Sequence, residues 1–396
     1  MATLLKIDEP PRPPQTGFAL LALGFRPFYL LASVFAALSI PLWALQFSGL
    51  LPRPYLSGPL WHAHEMLFGF TLAVIVGFLF TAGRNWTNLP TPTGWKLGAL
   101  ALLWLAARIL VLSPYAAAAA VANVAFPLAA AVALAIPFFK ARNKRNYFFI
   151  VLLMLLAAAA ACIHLSQLGI VAAPAWPAVQ VALDVVLFIL VVMGGRVIPM
   201  FTNNGIPGLE ATKKPWLEKA ALGSVLALLA ADVLALPDAV LAALALFACA
   251  AHAWRWGLWQ PWRTLSVPLV WVLHLAYLWI PVHLLLRAAG ALGWLTPSVA
   301  THALTVGAIG GLIIGMMTRT AKGHTGRPLR ADRYETACYV FIALAALVRV
   351  GLPLAAPELT IQAMLYSAAL WSAGFGLYAV RYWPILSRRR VDGRPG

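Results

Sequence analysis

Histidines are the residues of this chain whose type and spacing could do chemistry. There are eight of them, and imidazole is a common ligand for haem iron, copper and zinc. His62 and His64 lie close together and are followed by Glu65 and Met66. On a regular helix, side chains two residues apart point about 200° apart, so one metal ion cannot easily take both histidines. His64 is therefore predicted to face another neighbour or a second cofactor.

The residues around His62 predict which helix face looks inward. His62, Glu65 and Met66 share one face at spacings of three and four. That face continues along a stripe of small residues, Gly69, Ala73 and Gly77. Because a small-residue stripe lets another helix approach closely, the His62 face is predicted to look into a helix bundle.

A second histidine segment repeats this design. His302 stands beside a stripe with a small residue at every fourth position, Ala303, Gly307, Gly311 and Gly315. Such a stripe serves helix packing, and it also offers a flat backbone surface that could accept a large planar ligand. Upstream, His274 and His283 flank Pro281. Their spacing puts them on opposite helix faces and about 13 Å apart, so they are predicted to serve different places.

The cysteines exclude several cofactor classes. Cys162, Cys249 and Cys338 lie far apart in apolar runs, and no Cys-x-x-Cys or Cys-x-x-Cys-His segment exists. This pattern argues against a disulfide framework, an iron–sulfur site and a covalently attached haem. A haem in this chain would therefore be of the b type.

Two turns rich in glycine and proline carry groups that suit acidic ligands. Arg196 lies in one of them, between Gly195 and Pro199, and His324 lies in the other, between Gly323 and Pro328. Arginine in such a turn could hold carboxylates or phosphates, such as haem propionates. For Lys322, Arg330 and the arginines of the C-terminal tail, contact with lipid phosphate is the preferred interpretation.

The elements that position these side chains are predicted to be transmembrane helices. Of the 396 residues, 62% are hydrophobic and 10% are charged, and the mean hydropathy is +0.84. A soluble surface needs far more polar groups, which excludes a cytosolic enzyme, a nucleic-acid-binding domain and a disordered chain.

The fold class is predicted to be all-α, with a polar tail over 1–17, one membrane domain over 18–384 and a basic tail over 385–396. Apolar runs of about 20 residues predict twelve spans, near 18–45, 60–81, 96–113, 116–139, 146–168, 178–200, 217–236, 238–258, 267–289, 298–318, 333–353 and 359–384.

The net charge of +17 predicts orientation rather than a nucleic-acid partner. With both termini in the cytoplasm, all but five of the 29 lysines and arginines lie inside or at inner helix ends, as the positive-inside rule requires. The exceptions are Arg26, Arg53, Arg108, Arg287 and Arg349.

This topology also predicts the depth of the ionisable groups at about 1.5 Å per residue. His274 lies deeper, and His252 and His324 lie on the cytoplasmic side. A set of five histidines and two carboxylates collects near the outer face: His62, His64, His164, His283, His302, Glu65 and Asp184. Ionisable groups within a membrane are costly and mark functional sites.

Six segments of the chain together resemble the NnrS family, and the resemblance extends over the whole chain. They are Gly24 to Tyr29, Trp61 to Phe70, Gly195 to Thr202, Thr301 to Gly311, Gly323 to Leu329 and Val391 to Gly396. The resemblance implies a bacterial inner-membrane protein with about twelve spans, associated with haem, copper and the response to nitric oxide. No ligand assignment comes with it, so the site residues follow from depth and helix face.

The leading hypothesis is a protein that binds haem b and copper and acts in nitric oxide or nitrosative stress tolerance. The axial haem ligands are predicted to be His62 or His64 with His302 or His283. The metal ligands as a whole are predicted among His62, His64, His274, His283 and His302. Arg26, Arg196 and His324 are the candidates for holding acidic groups of the cofactor.

Two other function classes remain open. A haem–copper oxidase or nitric oxide reductase suits twelve spans and several histidines, but no adjacent His-His pair exists. A proton-coupled transporter of a metal complex would use Asp184, Glu65 and the histidines as a path, although no internal repeat typical of transporters is evident.

Overall fold

The computed structural model describes residues 17–47, 49–50 and 54–393. Residues 1–16 of the predicted N-terminal tail, Arg53 and the last three residues of the C-terminal tail lie outside the described residues. Within the described residues the chain forms twelve long helices. They are α1 (Phe25–Phe47), α2 (Gly58–Thr87), α3 (Gly94–Val111), α4 (Ala116–Lys140), α5 (Phe148–Gln167), α6 (Trp176–Gly205), α7 (Pro215–Val233), α8 (Asp238–Gly257), α9 (Pro268–Ala291), α10 (Pro297–His324), α11 (Arg333–Ala355) and α12 (Thr360–Ser387).

The helices confirm an all-α polytopic membrane protein. In the described part of the chain, eleven helices are long and apolar enough to cross a membrane. The remaining one, α7, has 19 residues and carries Glu218, Lys219 and Asp232. Large apolar side chains such as Leu102, Val151 and Leu347 remain exposed along the helices, as expected where a helix faces lipid rather than water.

The first and last described residues lie at the same end of the bundle, as predicted for the two ends of the chain; the side of the membrane that this end faces stays a prediction. The amide of Ala19 donates to the carbonyl of Ser387 at 2.7 Å, and Phe18 forms a β-bridge with Arg388. We call this the terminal end, and the end that carries His62 and His302 the histidine end.

The prediction was wrong about where the first helix begins. Helix α1 begins at Phe25 rather than at residue 18, because residues 18–24 form turns that pack against the last helix and α3. Arg26 therefore lies in the first turn of α1, where its Nη1 donates to the carbonyls of Leu386 and Arg388. It belongs with the basic residues of the terminal end and is not an exception to the charge pattern.

Two of the helices contain a π-helical segment directly after a histidine. In α2 the segment is Glu65–Thr71, and in α10 it is Ala303–Gly310. A π turn closes hydrogen bonds between residues five apart, is rare, and is frequent at functional sites. Because the turn is wider, the residues after His64 and His302 do not keep the faces that regular helical spacing predicts.

This wider turn explains one wrong prediction about α2. His62 and Met66 do share a face, but the Glu65 carboxylate turns away from it and contacts His64 and Arg108. Gly69 packs against Phe35 and Arg108 instead of continuing the His62 face. Farther along α2, Gly77 packs closely against Gly24, which precedes α1, and against Phe28 of α1. The small residues therefore serve helix contact there.

The glycine stripe of α10 also serves packing. A side chain at Gly307 would meet Trp279, one at Gly311 would meet Ala276, and one at Gly315 would meet Leu273 or Val272. All four neighbours belong to α9. The stripe is therefore covered by protein, and it does not form the flat surface for a planar ligand that the sequence suggested.

Candidate functional site: a cavity and two histidine pairs

A cavity of about 740 Å³ opens between helices at the histidine end. Ligand pockets of proteins range from about 300 to 1,000 Å³ and are mostly apolar with a few polar groups. Four large aromatic side chains contribute to the walls here: Trp43, Phe70, Trp176 and Trp371. The polar groups include His62, His302 and Arg349. The cavity therefore has the size and composition of a site for a sizeable apolar ligand.

His62 and His302 line this cavity together, although α2 and α10 are distant in sequence. Their rings are nearly parallel, with an interplanar angle of 11° and 6.4 Å between centroids. The Nδ1 atom of His62 is buried and has no hydrogen-bond partner among the described residues.

Backbone contacts set the proton position on His302. Its Nδ1 lies 2.7 Å from the carbonyl oxygen of Ser298, one helical turn earlier. A carbonyl only accepts, so Nδ1 carries the hydrogen and donates it, and Nε2 keeps its lone pair. Histidines that bind metals are commonly oriented in this way by the other ring nitrogen. The Nε2 atom of His302 is thus prepared to accept a hydrogen bond or to bind a metal.

Arg349 of α11 supplies a positive charge at the cavity. Its Nη2 lies 3.3 Å from Nε2 of His302 and 3.4 Å from the hydroxyl of Ser298. A guanidinium has five N–H donors, and both of these contacts are long for hydrogen bonds. Arg349 therefore retains the capacity to bind an acidic group of a ligand in the cavity.

A second histidine pair lies behind the first and is sealed from solvent. The rings of His64 and His164 are perpendicular, with centroids 5.0 Å apart, and both side chains are buried. In each ring the Nε2 atom is buried with no hydrogen-bond partner in the described chain. Two neighbouring nitrogens with unmet bonding capacity are costly in an apolar interior, so this pair is also a candidate site.

A buried charge network orients His64. Its Nδ1 lies 2.8 Å from Oε1 of Glu65, and Arg108 Nη1 donates to the same oxygen at 2.5 Å. Arg108 also donates to the side-chain oxygen of Asn123. Since a carboxylate accepts and does not donate, Nδ1 of His64 carries the hydrogen and Nε2 keeps its lone pair. Carboxylate–histidine contacts of this kind fix the ligands of many metal sites.

Tyr55 orients His164 from the loop before α2. Its hydroxyl lies 3.2 Å from both Nδ1 and the carbonyl oxygen of His164. Burial raises the pKa of Tyr55 to about 12, so the hydroxyl keeps its proton at neutral pH. When it donates that proton to the carbonyl, Nδ1 of His164 donates to the hydroxyl oxygen, and Nε2 keeps its lone pair.

The other two predicted metal ligands lie apart from both pairs. His283 Nδ1 lies 2.8 Å from the carbonyl of Ala300, and its buried Nε2 has no partner among the residues described. His274 Nε2 lies 2.8 Å from the hydroxyl of Thr202. Neither residue lines the cavity. The two residues thus have different hydrogen-bond partners, and that they serve different places stays a prediction.

The predicted anchors for acidic groups lie at the terminal end, away from the cavity. Arg196 donates to Asn146 at 2.8 Å and lies within 6.0 Å of the rings of Trp86, Phe148 and Phe149. His324 packs against the ring of Phe25, and Arg26 lies nearby. The structure does not bring these three residues together with the histidine pairs.

Three arginines lie at the histidine end, and the sequence singled them out only as exceptions to the charge pattern. Arg108 binds Glu65, Arg349 contacts His302, and Arg287 bridges Asp184 and Asp232. Sequence reasoning did not include Arg108, Arg349, Tyr55 or Asn123 in the site, whereas His164 belonged to the predicted outer histidine layer. For the first two, the signal was a positive charge on the outer side of a predicted span.

The potential metal ligands of the described residues form no larger cluster. Within residues 17–47, 49–50 and 54–393, no group of three or more His, Cys, Asp and Glu side chains is arranged to hold a metal ion. The two histidine pairs are therefore the candidate ligand sets, with two imidazoles each.

Comparison with known proteins identifies the family. A family model described as NnrS protein matches residues 19–390. The chain belongs to the NnrS family. No curated protein matches it in a sequence search. The match covers all twelve helices, both histidine pairs and the cavity, and it confirms the family resemblance. Five of the six sequence segments lie within it, whereas Val391 to Gly396 follows its end.

Proposed function

We propose that this NnrS-family protein binds a b-type haem in the cavity at the histidine end and acts in the nitric oxide response of a bacterial inner membrane. The observation that carries the proposal is the pair of parallel imidazoles, His62 and His302, in one largely apolar cavity of about 740 Å³. Haem iron held by histidine is the chemistry that binds small gaseous ligands such as nitric oxide.

The residues of the cavity fit this group. His302 keeps a lone pair on Nε2 because its Nδ1 donates to Ser298, and the neighbouring donor to that nitrogen is Arg349 at 3.3 Å. His62 has a buried nitrogen with no partner in the described part of the chain. Aromatic walls suit a macrocycle, and Arg349 suits a propionate. Arg26, Arg196 and His324 lie at the other end of the bundle, so Arg349 is the better candidate for that role.

The test is an optical spectrum of the full chain purified from haem-replete cells. We expect a Soret band that is lost or shifted in His62→Ala and in His302→Ala, and is retained in His164→Ala, which removes a buried imidazole outside the cavity. A folded protein without haem, or a Soret band unchanged in both cavity variants, would contradict the proposal.

The nitric oxide role needs a measurement of its own. Addition of nitric oxide without oxygen is expected to shift the Soret band of the reduced protein. Consumption of nitric oxide with a supplied electron donor would assign a redox enzyme, whereas binding without turnover would assign a binder or sensor. No spectral change on addition of nitric oxide would remove this part of the proposal.

We propose copper as a second cofactor, at the sealed pair of His64 and His164. The support is their two buried Nε2 atoms, neither of which has a partner among the described residues, together with the Glu65 contact that orients His64. Imidazole suits copper. Metal analysis should find copper that is lost in His164→Ala and kept in His302→Ala; the reverse pattern would assign copper to the cavity instead.

A further inference from the structure

A second pocket lies at the terminal end and is surrounded by arginines. Its volume is about 660 Å³. Arg327 follows α10, and Arg388, Arg389 and Arg390 follow α12; all four line the pocket. The exposed rings of Phe18 and Trp383 form its apolar part. Positive groups thus meet aromatic groups where the helices end, which is the composition of a membrane–water interface.

Arg26 stands behind this pocket as a buried positive charge. Its side chain is fully buried, and Nη1 donates to the carbonyls of Leu386 and Arg388. Nε and Nη2 are buried without a hydrogen-bond partner among the residues that the structure describes. Arg26 therefore fixes the backbone on which the tail arginines stand, and two of its donor atoms remain unused.

Arg327 repeats this feature at the edge of the pocket. Its Nη1 is also buried and has no partner in the described chain. Burial lowers the pKa of Arg327, and the charges of Arg381 and Arg388 act in the same direction. Arg390, by contrast, is neutralised by Asp392 at 2.6 Å. A positive group withdrawn from water is costly unless an anion pairs with it. Arg327 lines the pocket with a buried, unpartnered nitrogen, so its surroundings favour an anionic ligand there.

We infer that this pocket binds the phosphate of an anionic phospholipid headgroup. A phosphate group offers several acceptor oxygens to neighbouring guanidinium groups, and basic pockets between transmembrane helices are known sites for anionic headgroups. The apolar part of the pocket continues onto the lipid-facing side of α12, where Val380 is 76% exposed. A lipid can use both surfaces, whereas a free phosphate ion uses only the arginines.

Native mass spectrometry of the full-length protein in detergent tests this inference. The protein is stripped of lipid and titrated with phosphatidylglycerol, with phosphatidylcholine and with inorganic phosphate. We expect one tightly retained phosphatidylglycerol. In Arg327→Gln its affinity should fall by about tenfold, equivalent to about 1.4 kcal/mol.

Arg333→Gln is the matched control, because it removes one positive charge from the same end outside the pocket. Its phosphatidylglycerol affinity should equal that of the wild type. Equal retention of phosphatidylcholine, or unchanged affinity in Arg327→Gln, would overturn the inference. Tight inorganic phosphate binding with no gain from the lipid would assign the site to a free anion and would also overturn it.

Discussion

The two histidine pairs lie at one end of one bundle, yet their surroundings differ. His62 and His302 face a cavity and have few polar neighbours beyond Ser298 and Arg349. His64 and His164 are sealed, and each is held at Nδ1 by a polar group, Glu65 or Tyr55. Two positions in one helix thus contribute to sites of different kinds.

The two pairs differ in the space beside their rings and in the groups that hold the rings in place. The cavity pair has room for a large ligand and leaves one side of the imidazoles open to it. The sealed pair is fully buried, and both of its Nδ1 atoms are held by side chains, Glu65 and Tyr55, as is typical of sites for a single ion. The contrast predicts that changes near one pair will leave the other unaffected.

The largest expected effect concerns the charge network of the sealed pair. Arg108→Met leaves the Glu65 carboxylate buried without its cation, and breaking a buried ion pair in this way costs about 3–5 kcal/mol. The free energy of unfolding, measured by titration with a denaturing detergent, should fall by this amount. In the double variant Glu65→Gln, Arg108→Met, much of the loss should be recovered; equal losses in both proteins would contradict the network.

The double variant also tests the role of Glu65 in orienting His64. Loss of a residue that orients a metal ligand reduces metal affinity by about 10–100-fold. Copper affinity, measured by competition with a chelator of known affinity, should fall by this factor. The Soret band should stay unchanged, because the cavity pair does not touch Glu65. A change in the haem spectrum with copper affinity intact would reverse the assignment of the two pairs.

Arg349→Gln is the corresponding change at the cavity. A hydrogen bond to a charged group contributes about 1.5–3 kcal/mol, so haem affinity should fall by about tenfold or more if Arg349 binds a propionate. Haem titration of the apoprotein measures this effect. Arg196→Gln at the terminal end serves as the control and should bind haem as the wild type does. A loss in Arg196→Gln alone would place the propionates at the other end.

The smallest expected effect is that of Tyr55→Phe, which removes the hydroxyl that contacts His164. The two neutral hydrogen bonds with His164 contribute about 0.5–1.5 kcal/mol each to stability, about 1–3 kcal/mol together, and the ring keeps its stacking on His164. Stability should fall within this range, with no change at the haem. A loss of stability as large as that of Arg108→Met would mean that Tyr55 stabilises other parts of the structure besides His164.

Prediction from the sequence succeeded for features that depend on residues close together in the chain. Apolar runs placed twelve helices close to their observed positions, because lipid requires long uninterrupted apolar segments. It failed at Phe18–Gly24, which is apolar enough for a span but forms turns against Ser387 and the last helix. It also failed at Glu65 and Gly69, since regular spacing cannot anticipate the π turn that moves them off the His62 face.

Hydropathy and charge act along the chain, so the sequence alone predicted the membrane class, the number of helices and the common end of the first and last described segments. Only the tertiary structure decided that His62 meets His302 and that His64 meets His164. Each pair joins helices that are far apart in the chain, and their contact depends on helix packing, which no local pattern records. Helix packing also places Arg108 and Arg349 beside the candidate sites, whereas the sequence showed them only as exceptions to the charge pattern.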